Sequence, residues 1–308
     1  MPTPFPVDPV LTAITIAYRN DDYIADDVLP RTPVAKPEFK WHKHRLADGF
    51  TIPDTRVGRT SAPNQVTFGF DEMTDAVTEY ALDMPVPNAD IEAASGSGVD
   101  PVGNATERGS NLIALDREVR TSRLVFNPAS YITEHVKTTA TAAKWNKPDS
   151  KPLHAIIDAL DNGLLRPNIA ILGNTAATAL RRNPQILTAY YGKPTTDGFV
   201  PLDWLTKYLE LDAIYVGKSR LNINRPGQNV ELHRAWGPSA AFIYRDRVAG
   251  VQGGTTFGFT AQWGQRVAAR IEDVDVGMRG GVRSRVGESL KEVIAAPELG
   301  FYFPDVVA

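Results

Sequence analysis

Two histidines one residue apart, His42 and His44, are the first side chains whose spacing could do chemistry. On an extended strand both imidazoles face the same way, an arrangement that can bind a metal ion. No carboxylate or third histidine accompanies them, and His135, His154 and His233 stand far off. Two solvated side chains on a strand are the better reading. Gly96-Ser97-Gly98 before a helix invites a dinucleotide site, but Pro101 stands where the fingerprint needs its last glycine, and no buried strand leads in. A flexible joint fits better. Asn104-Ala105-Thr106 is a glycosylation sequon by pattern alone.

Glu272, Asp273 and Asp275 alternate with Val274 and Val276, which reads as the solvated face of a strand rather than an acid–base pair. Arg279, Arg283 and Arg285 could answer such acids across a subunit boundary through forked guanidinium–carboxylate pairs, or could do so within the chain. Cysteine is absent, which removes thiolate nucleophiles, disulfides and cysteine-based metal sites. The chain is therefore read as holding no catalytic, cofactor-binding or metal-ligating residue, and as not being an enzyme.

Composition bounds the class without naming a function. The 308 residues have room for one large domain or two smaller ones, and 43% hydrophobic with 22% charged residues is ordinary for a globular chain. A net charge of −3 argues against a surface built generally for nucleic acid, where affinity comes from neutralising phosphates. Met1-Pro-Thr-Pro-Phe-Pro6 lacks the regions of a signal peptide, and no apolar run reaches membrane-spanning length. Cytosolic synthesis and no membrane partner are expected.

The elements that would position these residues begin with a segment short of core. Leu11–Ala17 is apolar, Ile24–Pro30 follows a polar break, and a proline-punctuated link runs from Arg31 to Pro37. Phe39 and Trp41 then alternate with Glu38, Lys40 and His42, the period of a half-buried strand. Asp48-Gly49 signals a turn. The return limb carries Val66, Phe68 and Phe70 and continues to Leu82, before Pro85 and Pro87. A long two-stranded hairpin projecting from a body fits this pattern, and such a hairpin needs a neighbouring surface. Arm and hairpin are expected to find their partners on another chain, which points to assembly rather than catalysis.

Asp100-Pro101 predicts a helix start, and Leu112, Leu115, Val119 and Phe126 predict one buried stripe on a long, mostly polar helix that Asn127-Pro128 ends. The middle changes character. Helices over Leu153–Leu164, Thr175–Tyr191 and Leu202–Leu209 alternate with short apolar strands at Ile169–Leu172 and Ala213–Val216, with Ala240–Tyr244 able to pair with them. That is a compact α/β layer unit. From Thr255 the pattern returns to β through Phe303, with no sheet partner nearby, so these strands are expected to pair with segments before and after the long helix. The α/β unit then sits as an insertion in a discontinuous first domain.

In order and spacing, Leu11-Thr-Ala-Ile-Thr-Ile-Ala-Tyr-Arg-Asn20 with Ile24-Ala25 and Val28-Leu-Pro-Arg31, then Arg123-Leu-Val-Phe126, then Pro167-Asn168-Ile169 through Gly173, Ala179-Leu180, Asn183-Pro184, Val216-Gly217 and Trp236-Gly237, resemble the major capsid proteins of tailed bacteriophages with the Hong Kong-97-like fold. The likeness covers nearly the whole chain. It implies an α+β subunit with an N-terminal arm over 1–37 and an extended β-hairpin loop over 38–80. The peripheral domain would comprise 81–150, with its spine helix at about 101–127, and 255–308. The inserted axial α/β domain would be 151–254.

The resemblance further implies pentamers and hexamers closing into an icosahedral shell around double-stranded DNA, bound non-specifically, in the virion after assembly in the host cytoplasm. A portal is an expected partner. So is a separate scaffolding protein, since the arm starts at residue 1, and a cement protein can add to the shell. The extended loop would lie over the next subunit, making Phe39, Trp41, Lys43, Arg45, Phe50, Ile52, Arg56 and Arg59 its contacts, with Arg279, Arg283, Arg285, Glu272 and Asp273 meeting across another boundary. Lys40 and Lys43 could supply an amine for a covalent cross-link, but no asparagine follows Asn229, so a non-covalent shell is expected. An encapsulin-type cargo shell is the alternative within this fold. A soluble α/β enzyme would need polar clusters at Gly173-Asn174-Thr175 and Gly217-Lys218-Ser219, which are ordinary turn chemistry.

Overall fold

The computed structural model describes every residue except 1–7, 18–21, 45–50, 67–68, 97, 226 and 249–253. A long helix starts where local chemistry dictates. The Asp100 side chain accepts a hydrogen bond from the Val102 N–H at 3.0 Å and Pro101 fills the first helical position, so α4 runs Pro101–Val125. Preceding it are α1 (Pro9–Ala17), α2 (Ala25–Val28), β1 (Arg31–Val34), β2 (Glu38–His44), β3 (Phe70–Ala76), β4 (Thr78–Pro87) and α3 (Asn88–Ala94).

The face that α4 buries differs from the expected leucine stripe. Leu112 is exposed, while Val102, Thr106, Gly109, Ser110, Ile113, Arg117, Thr121 and Val125 turn inward. Small residues win because the helix lies close on the sheet. At Gly109 a Cβ would collide with the thioether end of Met84. The Thr106 and Ser284 hydroxyls hydrogen-bond at 2.7 Å, and Thr106 and Ser110 also donate to carbonyls one turn back. The Thr106, Ser110 and Ser284 hydroxyls of this face are thereby satisfied.

Beneath α4 lies a four-stranded sheet in the order β1-β10-β11-β4, with β10 spanning Gly258–Asp273 and β11 Gly281–Ile294. The late β segment was expected to lack a local partner. Instead β10 and β11 pair with each other as a long antiparallel hairpin, and Val274 and Val276 lie in the turn between them rather than on a strand. The expected pairing to a strand before the helix also occurs, since β11 pairs with β4 from Gly281↔Pro87 to Leu290↔Thr78. β4 passes through Pro85 and stops at Pro87. It is an edge strand, whose outward side needs no N–H donor.

The arm finds its partners within its own subunit, contrary to the expectation from its composition. Leu11 of α1 is buried with Val86, Val102, Ile113, Ala268 and Val286, while Val28 and Leu29 are fully buried beside α4. Backbone bonds fix α1 along β10, with the Asp8 N–H donating to the Ala268 carbonyl at 3.2 Å. Each arm piece lacks core alone; the long sheet supplies it to α1, and the strands of the α/β unit with Trp236 and Val125 supply it to Ile24, Val28 and Leu29.

The α/β unit forms a second sheet in the order β12-β9-β5-β6. Its strands are β5 (Ile169–Gly173), β6 (Ala213–Gly217), β9 (Ala240–Ile243) and β12 (Gly300–Phe303), packed with α5 (Pro152–Asp161), α6 (Asn174–Arg181), α7 (Pro184–Tyr191) and α8 (Leu202–Tyr208). A small hairpin, β7 (Arg220–Asn222) and β8 (Leu232–Arg234), projects after β6. β5, β6 and β9 pair as the apolar runs predict. β12 does not complete the first sheet as expected but closes this one, because a short strand buried at every residue fits only a sheet covered on both faces. Trp236 fills the seam between the sheets. It lies edge-on to Phe126 with ring centroids 5.1 Å apart, and it packs so closely over Gly217 that any Cβ there would overlap the indole.

Candidate assembly surface

The extended hairpin is anchored before it projects. β2 and β3 pair from Glu38↔Ala76 to His44↔Phe70. Period-two alternation turns Phe39 and Trp41 toward Val34, Phe259, Ala261 and Val293, with Trp41 edge-on to Phe259 at 6.3 Å. Expected as contacts to a neighbour, both are buried in this subunit's own core. Lys43 sits half-buried on the same limb, and on the other face Lys40 makes an exposed ion pair with Glu72 at 2.5 Å. The His44 side chain, Arg45, the Asp48-Gly49 turn, Phe50 and Phe68 lie outside the described residues, as does the Phe70 side chain.

Beyond this anchor, no residue from Thr51 to Val66 is buried. Ile52 is 92% exposed, Val57 51% and Val66 50%, with Arg56 and Arg59 exposed among them. The stretch holds itself by local bonds. The Asp54 carboxylate accepts from the Arg56 N–H at 3.0 Å, its carbonyl accepts from the Asn64 amide at 2.9 Å, and Ser61 N–H donates to the Gly58 carbonyl at 3.1 Å. A long exposed loop carrying apolar side chains is the kind of surface that marks an interaction site.

The arginines expected to bridge subunits are engaged within one. Arg285 grips Asp83 with a fork at 2.6 and 2.7 Å, Arg283 Nε donates to Asp273 at 2.6 Å, and Arg279 reaches Glu92 at 3.5 Å. The fork to Arg285 holds the Asp83 carboxyl below its usual range. Cross-strand spacing brings Arg283 and Arg285 to Asp273 and Asp83 over β10, β11 and β4, while Arg279 reaches Glu92 of α3 from the turn after β10. Glu272 stays exposed at the end of β10, next to a turn that exposes Val274 and Met278.

Two residues that the sequence places on the polar faces of α4 turn out to be buried at its centre. Glu118 accepts from the Ile24 and Ala25 N–H groups at 3.0 and 2.8 Å, from the Trp236 indole at 2.5 Å and from the Ser219 hydroxyl at 3.4 Å. It thus joins the arm, the long helix and the α/β unit. Burial pushes its carboxyl above the ordinary value, although those donors pull it back. Arg117 pairs with Asp26 and donates to Leu29 O and Thr260 Oγ1, each at 3.2 Å. Asp26 also takes Arg31 Nε at 2.7 Å, and Arg31 continues to Glu288 at 2.8 Å, which Arg266 holds at 2.9 Å. The available signal was positional: Arg117 continues the row Val102, Thr106, Gly109 (or Ser110), Ile113 at helical spacing.

This chain of charges makes a pH prediction. Burial alone would raise Asp26, but Arg117 and Arg31 overrule it and hold the carboxyl at about 2. A folded pKa below the unfolded value contributes stability that is present above about pH 4 and lost as pH falls through about 2. Its carboxylate is 53% exposed, so solvent screening trims the effect. The stability gap between the wild-type subunit and Asp26→Asn is expected to narrow from pH 5 toward pH 2, read from urea midpoints. A gap that stays constant would place the role of Asp26 in its hydrogen bonds alone.

No family model matches the chain. It is 56% identical over 305 residues to the major capsid protein of Pseudomonas phage JBD67, covering 99% of this chain and 98% of that protein. It is 28% identical over 223 residues to the major capsid protein of Burkholderia phage BcepMu, covering 69% of each. Among solved structures, a phage-related protein from Bordetella bronchiseptica RB50 superposes with a TM-score of 0.76 at 22% identity, over 99% of both chains. The capsid of cyanophage P-SCSP1u gives 0.55 at 10% identity over 94% and 89% of the two chains, and an encapsulin complex from Synechococcus elongatus gives 0.53 at 11% over 95% and 92%. At these identities the structural likenesses speak for the fold alone.

Proposed function

Because this chain belongs to the major capsid proteins of bacteriophages, we propose that it is a Hong Kong-97-like subunit building an icosahedral shell from pentamers and hexamers. It is a structural protein of the virion, and its copies assemble into the capsid. The observation that carries the assembly reading is Thr51–Val66, a long stretch with no buried residue that leaves Ile52, Val57 and Val66 exposed. In the shell, Ile52, Arg56 and Arg59 of this stretch lie on a neighbouring subunit. The turn after β10, with the exposed Glu272 carboxylate beside exposed Val274 and Met278, offers a charge partner and apolar surface to receive them.

The shell encloses the phage's double-stranded DNA by volume, without tight binding at each subunit, which suits a net charge of −3. Assembly in the host cytoplasm draws on a scaffolding protein and a portal, and a cement protein can reinforce the outside. A cargo-holding encapsulin shares the fold, but the full-length identity favours the phage capsid. Electron microscopy of the purified chain, alone or with its scaffolding partner, is expected to find uniform closed shells. A monomer or dimer at every concentration would overturn the reading.

A further inference from the structure

We propose that Asn162-Gly163 is a site of spontaneous chemical modification, where the chain converts its own asparagine to aspartate and isoaspartate and so loosens the end of α5. The inference needs nothing of the shell reading. Of the chain's asparagines only Asn162 precedes glycine. The others precede a side chain, which crowds the next backbone nitrogen, or the prolines of Asn127-Pro128 and Asn183-Pro184, which have no N–H. Each member of the pair has its own structural reason to be there. Asn162 follows the last residue of α5, and its backbone N–H and side-chain amide both donate to the Asp158 carbonyl, at 3.2 and 2.6 Å. Gly163 admits no side chain, since a Cβ would lie 2.9 Å from the Leu165 carbonyl oxygen, 3.2 Å from Pro167 and 3.3 Å from Phe301. Closing the helix selects one residue and packing selects the other, and together they form a reactive dipeptide.

The geometry leaves this pair able to react. Asn162 is exposed, and the Gly163 N–H has no hydrogen-bond acceptor among the described residues. Asn162 still holds helix-like angles, φ −86° and ψ 0°, so fraying of the last turn is what swings its amide carbon onto that free nitrogen. The step balances with one water. The Gly163 nitrogen attacks Asn162 Cγ, closing a five-membered imide. The Cγ–Nδ2 bond breaks, and ammonia leaves with the proton from the Gly163 N–H. Water then adds to either imide carbonyl. Opening on one side gives aspartate, and on the other isoaspartate, whose backbone runs through the former side chain.

Either product weakens the helix end. The amide donor to the Asp158 carbonyl is lost, and a carboxylate stands at the negative end of α5, beside Asp158 and Asp161. Arg166, which pairs with Asp161, already also reaches Glu210. Isoaspartate adds a backbone carbon directly before the tightly packed Gly163. Because α5 carries Leu153, Ile156, Ala159 and Leu160 into the core, loosening its end loosens the α/β unit. A subunit left unassembled therefore ages at this point.

The imide forms from the deprotonated nitrogen, so the test incubates full-length protein in mildly alkaline buffer and follows it by peptide mass spectrometry. The peptide carrying Asn162-Gly163 is expected to gain the mass difference between NH2 and OH and to split into two products, while the other asparagines stay intact. Asp48-Gly49 and Asp197-Gly198 can close the same imide, but with no amide to lose they give no such mass change. Asn162→Gln, whose longer side chain cannot close the five-membered ring, is expected to keep its mass. An amide at Asn162 that survives incubation, or that is lost no sooner than those of the other asparagines, would overturn the site. Asn162→Asp, made in advance, is expected to unfold at a lower urea midpoint than the wild type. An unchanged midpoint would overturn the effect on α5.

Discussion

Replacing Glu118 by alanine is expected to lower the unfolding free energy of the subunit by about 4 kcal/mol, as breaking a buried, hydrogen-bonded charge commonly does. The carboxylate takes the first two free N–H groups of α2, the indole of Trp236 and the Ser219 hydroxyl. Alanine leaves these donors facing a cavity at the seam of three substructures. Glutamine separates geometry from charge. Donors meet both oxygens, so either amide orientation sets an NH2 group against them, and a loss of about 2 kcal/mol is expected. Part of that loss is offset, because burial raises the Glu118 carboxyl. An acid whose folded pKa is raised contributes most below its unfolded value, and the contribution declines as pH rises through the folded one. Glu118→Gln is expected to abolish that decline. Urea unfolding followed by tryptophan fluorescence measures both effects, and an unchanged midpoint in Glu118→Ala would show that apolar packing alone holds the seam.

What could be read from the sequence was whatever local chemistry decides. Asp100-Pro101 set the start of α4 because a cap and a first-turn proline act within one turn of helix. The runs at Ile169 and Ala240 marked strands because burial on both faces leaves no room for polar residues, and the run at Ala213 marked the half-buried edge strand beside them. The inward face of α4 was not legible. Counting apolar residues selects Leu112, whereas close approach to Met84 and Ser284 selects Gly109 and Thr106. Those partners lie far away in sequence, so no local window contains the deciding fact. The same holds for Phe39 and Trp41. Their alternation was visible, but alternation does not say whether the apolar face meets Phe259 of the same chain or a neighbour. Arg285 likewise finds Asp83 only once β11 and β4 are in register.

That division bears on the last prediction, replacement of Thr51–Val66 by a short Gly-Ser linker. None of these residues is buried, and their described side-chain bonds stay within the stretch, so the stability of the subunit is expected to change by no more than about 0.5 kcal/mol. Assembly is expected to fail. The anchor strands β2 and β3 remain, with Phe39 and Trp41 still packed on Phe259 and Val293, so the hairpin base keeps its position. What is lost is the apolar and basic surface of Ile52, Val57, Arg56 and Arg59. A heterologous lattice that loses its extended-loop contact loses it at every subunit boundary, so a modest energy per contact becomes an all-or-none effect on shell closure. Sedimentation and electron microscopy should then find folded subunits or small oligomers where the wild type gives shells. Normal shells from the variant would move the essential contact elsewhere, and an unfolded variant would make the loop part of the subunit's own core.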